Sequence, residues 1–320
     1  MNPVNKSRKL IAPSEFLGRY ISVILFIALL VANVFCTKNF VSWITCTNLI
    51  RQTAKVLLVS LGMTLVIATG GIDISVGSAM ALGALLSAMG FLNGQFWMIP
   101  LSLLIVMAFG VIAGISISKF HILPMVTTLT LRYIMRGMAK GISGVGTITF
   151  SMPALTVFFN MQIFGKIPIH LFILILAVSI VYIMVNHMKF GAYVEAYGGN
   201  PAAAKICGIH TVKVIISCYC ICAMFAWMAG MLDMISVSSA NPATIGTDYD
   251  VDAIAAVLVG GTPITGGYPN IIGTVGGAFV LQLVNMMCNM HNVPYSISLI
   301  LKAAIIVLAL FFHGMRRKGH

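Results

Sequence analysis

A chain of 320 residues with 59% apolar residues, 8% charged residues and a mean hydropathy of +1.02 carries too much hydrocarbon to dissolve as a soluble globule. Several uncharged runs approach the ~20 residues that let a helix cross about 30 Å of hydrocarbon, and none shows the period-two alternation of barrel strands. The expected fold class is therefore all-α, a polytopic membrane protein with about ten transmembrane helices, some broken at glycine-rich motifs. The formal charge of +12 calls for no nucleic acid, because lysines and arginines gathered beside anionic membrane lipid account for most of it.

In chain order, residues 1–19 form a basic segment with Lys6, Arg8, Lys9 and Arg19. The apolar run 20–35 has the look of a secretory signal, but no convincing small-x-small cleavage site follows and further spans do, so it is expected to stay as the first helix. Further apolar segments lie near 56–69, 78–92, 97–118, 122–139, 167–187, 213–237, 251–260, 271–289 and 297–313, giving a single transmembrane domain over 20–313. The tail 314–320 is basic again, with Arg316, Arg317 and Lys318. The positive-inside rule then places both termini in the cytoplasm, which requires an even number of crossings. Loops 141–166 and 238–250 suit the outside and 189–213, with its three lysines, the inside; Lys38, Arg51 and Lys55 fall outside against the rule. Segment 122–139 holds Arg132, Arg136 and several threonines, and 251–260 is too short to span alone, so both are expected to be bent or partly re-entrant.

Two glycine-rich interruptions break this apolar sequence, GGIDISVGS at 70–78 and GGTPITGG at 260–267. In each an apolar run ends in a glycine pair, Gly70-Gly71 or Gly260-Gly261, five or four residues follow, and a glycine resumes the chain. Broken helices expose backbone donors and acceptors that lipid does not tolerate unless the break is buried in protein or lines a polar cavity, so paired breaks point to a translocation pathway. The competing reading is that the glycines only let helices approach closely. Asp73, costly at the bilayer centre, is assigned to capping the helix that begins near Ser75 in preference to contacting substrate. A neutral polyol would need hydrogen-bonding partners, and Thr69, Ser75, Ser78, Thr262, Thr265, Gln282 and Asn285 are offered near the breaks. The other ionisable residues expected within the membrane are Arg132, Arg136, Asp233 and Lys302.

The stretch AYGGNPAAAKICGI at 196–209 reads as a short self-contained helix within a loop. Asn200 is a good N-cap, Pro201 suits the first helical position, Lys205 falls in the last turn, and Gly208 sits where a left-handed cap belongs. Such a helix is too short to stand alone in water, so it docks either on its own membrane domain or on a partner. Cys218 and Cys222 share a helix face while Cys220 points elsewhere, which reads as packing; no metal site is expected. Asp248, Asp250 and Asp252 lack the glycine and glutamate of a calcium loop and are expected to form a solvated acidic rim that meets a basic partner surface.

The three motifs GGIDISVGS, EAYGGNPAAAKICGI and DAIAAVLVGGTPITGG, in this order and spacing, resemble the permease subunits of bacterial ATP-binding-cassette importers for ribose, galactofuranose and related sugars. The resemblance covers about residues 56–313, with small departures at Ile74 and Pro263. It implies a multi-pass protein of the bacterial cytoplasmic (inner) membrane that pairs with a second permease copy or a paralogue, takes a sugar from an extracytoplasmic binding protein, and is driven by a cytoplasmic ATPase. It also implies that the loop containing Glu195, Gly198, Gly199, Asn200, Pro201, Ala203, Lys205 and Gly208 engages that ATPase. The chain has no GxxxxGK[ST] loop, so no catalytic residue and no cofactor is expected here, with ATP bound in the partner subunit. The alternative is an ion-coupled secondary transporter in which Asp73 carries the coupling ion.

Overall fold

The computed structural model describes residues 13–317 except 38–39, 145 and 164–166, so the basic ends at 1–12 and 318–320 lie outside the described residues. The first five helices are α1 (Pro13–Cys36), α2 (Trp43–Ala68), α3 (Val76–Leu92), α4 (Met98–Ser118) and α5 (Pro124–Ser143). A group of short elements follows: β1 (Ile148–Thr149), α6 (Pro153–Asn160), β2 (Gln162–Ile163) and β3 (Ile167–Pro168). The remainder comprises α7 (Ile169–Asn186), α8 (Lys189–Gly199), α9 (Pro201–Ile206), α10 (Thr211–Val237), β4 (Ser239–Ala240), α11 (Tyr249–Val259), α12 (Ile271–Met290) and α13 (Tyr295–Arg317). The protein is all-α in character; its strands are two-residue pairings, β1 antiparallel to β4 and β2 antiparallel to β3.

Five of these helices, α2, α4, α7, α10 and α12, are long and apolar enough to cross a membrane, and shorter apolar helices run over Ile24–Cys36, Val76–Leu92 and Tyr295–Leu308. Every apolar segment anticipated from sequence is occupied by a helix. Two differ in extent or form. The helix over 56–69 begins at Trp43, where Ser42 accepts the Thr45 N–H as an N-cap at 3.2 Å, so Arg51 and Lys55 lie within it. Segment 122–139, expected to be bent or partly re-entrant, forms one uninterrupted helix from Pro124 that ends in a left-handed cap at Gly144.

Helix α10 sits at the centre and packs on α2, α3 and α4, while α11 and α12 close the other side of α2. Close approach is set by small residues: a Cβ at Gly62 would lie 2.7 Å from the Cys222 Cα, and one at Gly110 would lie 2.8 Å from the Tyr219 carbonyl oxygen. Cys218 and Cys222 are buried and Cys220 is half-buried, which accords with a packing role for the first two. Along α4 and α7, by contrast, Leu104, Ile175 and Leu176 are exposed. A helix that is apolar all round and yet exposed has lipid for its solvent.

Candidate functional site

The first break begins where α2 stops. Gly70 takes a left-handed φ of +79° and donates to the Ile67 carbonyl at 2.8 Å, while the Gly71 N–H reaches the Val66 carbonyl at 3.1 Å. This pair of bonds is a Schellman closure, and its left-handed position favours a residue without Cβ. Beyond it, the Asp73 Oδ1 accepts the Ser75 N–H at 2.9 Å and the Ser75 hydroxyl at 2.6 Å, within a site where Asp73 is only 2% exposed. The carboxylate thus serves the turn that leads into α3, and Thr128 of α5 donates to the neighbouring Ile72 carbonyl at 3.2 Å. Ser78, one turn on, has a buried hydroxyl without a partner among the described residues.

Asp73→Asn is expected to keep most of the stability, because an amide oxygen still accepts from Ser75. Asp73→Leu is expected to lose about 1–3 kcal/mol for each donor left unpaired. Thermal unfolding of both variants in detergent checks this; equal stability of the two, with transport lost in both, would show that the charge matters more than the cap.

The second break closes in the same way, one residue later than the sequence parallel implied. Gly260 still has helical dihedrals, Gly261 is the left-handed residue at φ +90°, and the Gly261 and Thr262 N–H groups reach the Leu258 and Val257 carbonyls at 3.0 and 3.2 Å. Gly70 therefore corresponds to Gly261, not to Gly260. Asn270, which sequence reasoning passed over, holds this break together. Its side-chain N–H donates to the Gly260 carbonyl at 2.8 Å, its Oδ1 accepts the Gly273 N–H at 3.0 Å, and its own N–H is accepted by the Thr262 hydroxyl at 3.0 Å. An asparagine directly before an apolar run is an N-cap signal, so the residue was legible.

The two breaks meet each other and the end of α8. The Gly267 N–H donates to the Ala68 carbonyl at 2.9 Å, joining the second break to the last turn of α2. A Cβ at Gly198 would overlap both the Ala68 carbonyl oxygen and the Gly267 nitrogen. One at Gly266 would lie 2.7 Å from the Gly198 carbonyl oxygen, and one at Gly70 would lie 3.6 Å from that of Thr265. Backbone therefore touches backbone across three segments of the chain.

Helix α9 projects from this junction. Asn200 Oδ1 accepts the Ala202 and Ala203 N–H groups at 3.1 Å each, Pro201 opens the helix, and Gly208 closes it at φ +80° with Gly208 and Ile209 bonded back to Lys205 and Ala204. Ala204 is the one buried residue of the helix. Ala203 and Lys205 are exposed, as are Glu195 and Gly199 in α8, and Ile206 stands 87% exposed. None of the described residues covers that isoleucine.

The charged residues expected within the membrane, Arg132, Arg136, Asp233 and Lys302, are each engaged. Lys55 pairs with Asp233 at 2.6 Å, Lys302 with Asp252 at 2.7 Å, and Arg132 with Asp250. Arg136 donates to the Pro242 and Ile245 carbonyls at 2.7 Å each and to Gly77 at 3.1 Å. Thr128, Arg132 and Arg136 lie on one face of α5, and each of these three has a partner, which is how polar side chains are accommodated here. The acidic triplet is not the solvated rim expected. Asp250 and Asp252 are buried in ion pairs with residues of α5 and α13, and Asp248 accepts the Tyr295 hydroxyl at 2.6 Å.

The residues proposed for a pathway do not share one cavity, and Asp73, Ser75, Ser78, Gly260, Gly261, Thr262 and Thr265 line neither of the two that hold the others. Thr69, Gly70 and Gly71, with Tyr197 and Tyr219, line a cavity of about 220 Å³ beside the first break. Gln282 and Asn285 lie roughly 16–21 Å along α12 from the second break at 1.5 Å per residue, in a separate cavity of about 460 Å³ that shares no lining residue with the first.

The family described as "Branched-chain amino acid transport system / permease component" matches residues 45–310. The ribose import permease of Escherichia coli K12 is 32% identical over 292 residues, covering 88% of this chain and 89% of that protein. That of Bacillus subtilis 168 is 32% identical over 307 residues, covering 92% and 90%. The galactofuranose transporter permease of E. coli K12 is 30% identical over 273 residues, covering 84% and 79%. No solved structure matches the chain.

Proposed function

Because the chain belongs to the branched-chain transport permease family, we propose that it is the membrane permease subunit of an ATP-binding-cassette importer for a sugar. The relatives named for ribose and galactofuranose support that cargo class. The setting is a bacterial inner membrane with both termini in the cytoplasm. The partners are a cytoplasmic ATPase that binds the ATP, an extracytoplasmic sugar-binding protein and a second permease copy or paralogue. The chain itself is a transport component without a catalytic site.

One observation carries the coupling role: α9 is fully capped, exposes Ile206, and grows from a helix whose last turn touches both breaks. An ATPase that moves α9 moves the Gly198 junction and, through it, the ends of α2 and α11. The ion-coupled alternative loses its ground, since Asp73 is occupied by Ser75 and a self-driven transporter has no use for a presented helix.

The test is uptake in proteoliposomes of the complex purified from native membranes. Uptake is expected to require ATP and to survive ionophores. Ala203→Asp is expected to insert normally and to lose uptake, since the added charge must be desolvated against the docking partner. Uptake by the isolated chain driven by a proton or sodium gradient would overturn the proposal.

A further inference from the structure

Four helices turn polar faces toward one space. On α12 the side chains are Gln282, Asn285 and Asn289, on α13 Tyr295, Ser298 and Lys302, on α11 Tyr249 and Asp252, and on α2 Gln52 and Lys55. The spacings of three and four residues place each set on one helical face, so these groups form a polar cavity wall and not a scatter of surface groups. It encloses about 460 Å³, within the ~300–1,000 Å³ typical of small-molecule sites. The site is removed from both helix breaks.

The chemistry of the wall selects its ligand. Both ammoniums are matched, Lys302 with Asp252 and Lys55 with Asp233, and the Asp248 carboxylate accepts the Tyr295 hydroxyl, so no cation waits for an anionic ligand. What remains is neutral hydrogen-bonding capacity. Gln282 is only 4% exposed, and its amide has no partner among the described residues; Asn285 meets Ser298 only at 3.4 Å. A buried amide with two donors and an acceptor unfilled is costly unless the contents of the cavity fill them. The half-exposed Tyr295 ring at the mouth adds an apolar surface against which a sugar C–H face can lie.

The geometry points to a substrate subsite for a neutral monosaccharide inside a single protomer, with Gln282 and Asn285 as its hydrogen-bonding floor and Asn289 and Tyr295 at its mouth. This rests on the proposed sugar importer and adds the place where the sugar is held. A zwitterionic amino acid, the other cargo that the family description names, would require a free cation here for its carboxylate, and both lysines are already paired.

The experiment uses the complete complex in proteoliposomes with ATP, and labelled D-ribose, D-fructose, D-galactose and L-leucine as probes. Gln282→Leu and Asn285→Leu preserve bulk and remove the amide, and Asn289→Leu does the same at an exposed position that folding tolerates. The expected result is at least a tenfold fall in sugar uptake for Gln282→Leu and a several-fold rise in the sugar KM for Asn289→Leu. ATP hydrolysis stimulated by the binding protein should stay within twofold of wild type, a split that misfolding would not produce. If the wild-type complex transports one of the sugars and the amide variants do so with unchanged KM and rate, the subsite is overturned and the importer stands. If wild type transports leucine alone or none of the four, the sugar reading itself fails and the subsite with it.

Discussion

Gly198→Ala is expected to abolish ATP-driven uptake and to lower the unfolding temperature, while Gly199→Ala, one position along, leaves both unchanged or slightly raised. Local propensity makes the opposite forecast for the first variant. Alanine is favoured over glycine inside a helix by about 0.8–1.0 kcal/mol, so either change in α8 should help. The surroundings decide otherwise. A Cβ at 198 meets the Ala68 carbonyl oxygen and the Gly267 nitrogen, two backbone atoms already bonded to each other, whereas a Cβ at 199 meets nothing within 4 Å. Backbone cannot swing aside as a side chain does. Overpacking of this kind costs about 1–3 kcal/mol, enough to reverse the propensity gain and to part α8 from the two breaks. Detergent unfolding curves and proteoliposome uptake for the pair test it, and a Gly198→Ala protein as stable and active as wild type would refute the junction.

The largest stability loss is expected from Lys302→Met, by about 3–5 kcal/mol. The Lys302 and Asp252 side chains are 5% and 11% exposed, so the methionine variant strands a carboxylate in a low-dielectric interior. The double change Lys302→Met with Asp252→Asn is expected to recover most of the loss, because it removes both charges and the net worth of a buried pair is small once its desolvation is counted. Unfolding in detergent of the two single variants and the double measures the difference. If the double variant is no more stable than Lys302→Met alone, the ion pair is not what the lysine supplies.

The sequence by itself determined the membrane setting, the positions of the apolar helices and the whole of α9. Each of these is encoded within a few residues: a span by an uninterrupted apolar run, and α9 by Asn200, Pro201 and Gly208 acting on backbone groups three or four positions away. The length of α2 was hidden because Arg51 and Lys55 interrupt its apolar run, and the lysine is acceptable only because Asp233 meets it from α10, 178 residues on. The triplet 248–252 read as a solvated rim for the same reason, since its cations lie on α5 and α13, 118 and 50 residues from the aspartates that they pair with. Tertiary structure decided the roles of the glycines at the two breaks and in α8. Gly70 and Gly261 are needed for a left-handed turn and Gly198 for contact between backbones, and a residue with no side chain carries no mark of which neighbour it makes room for.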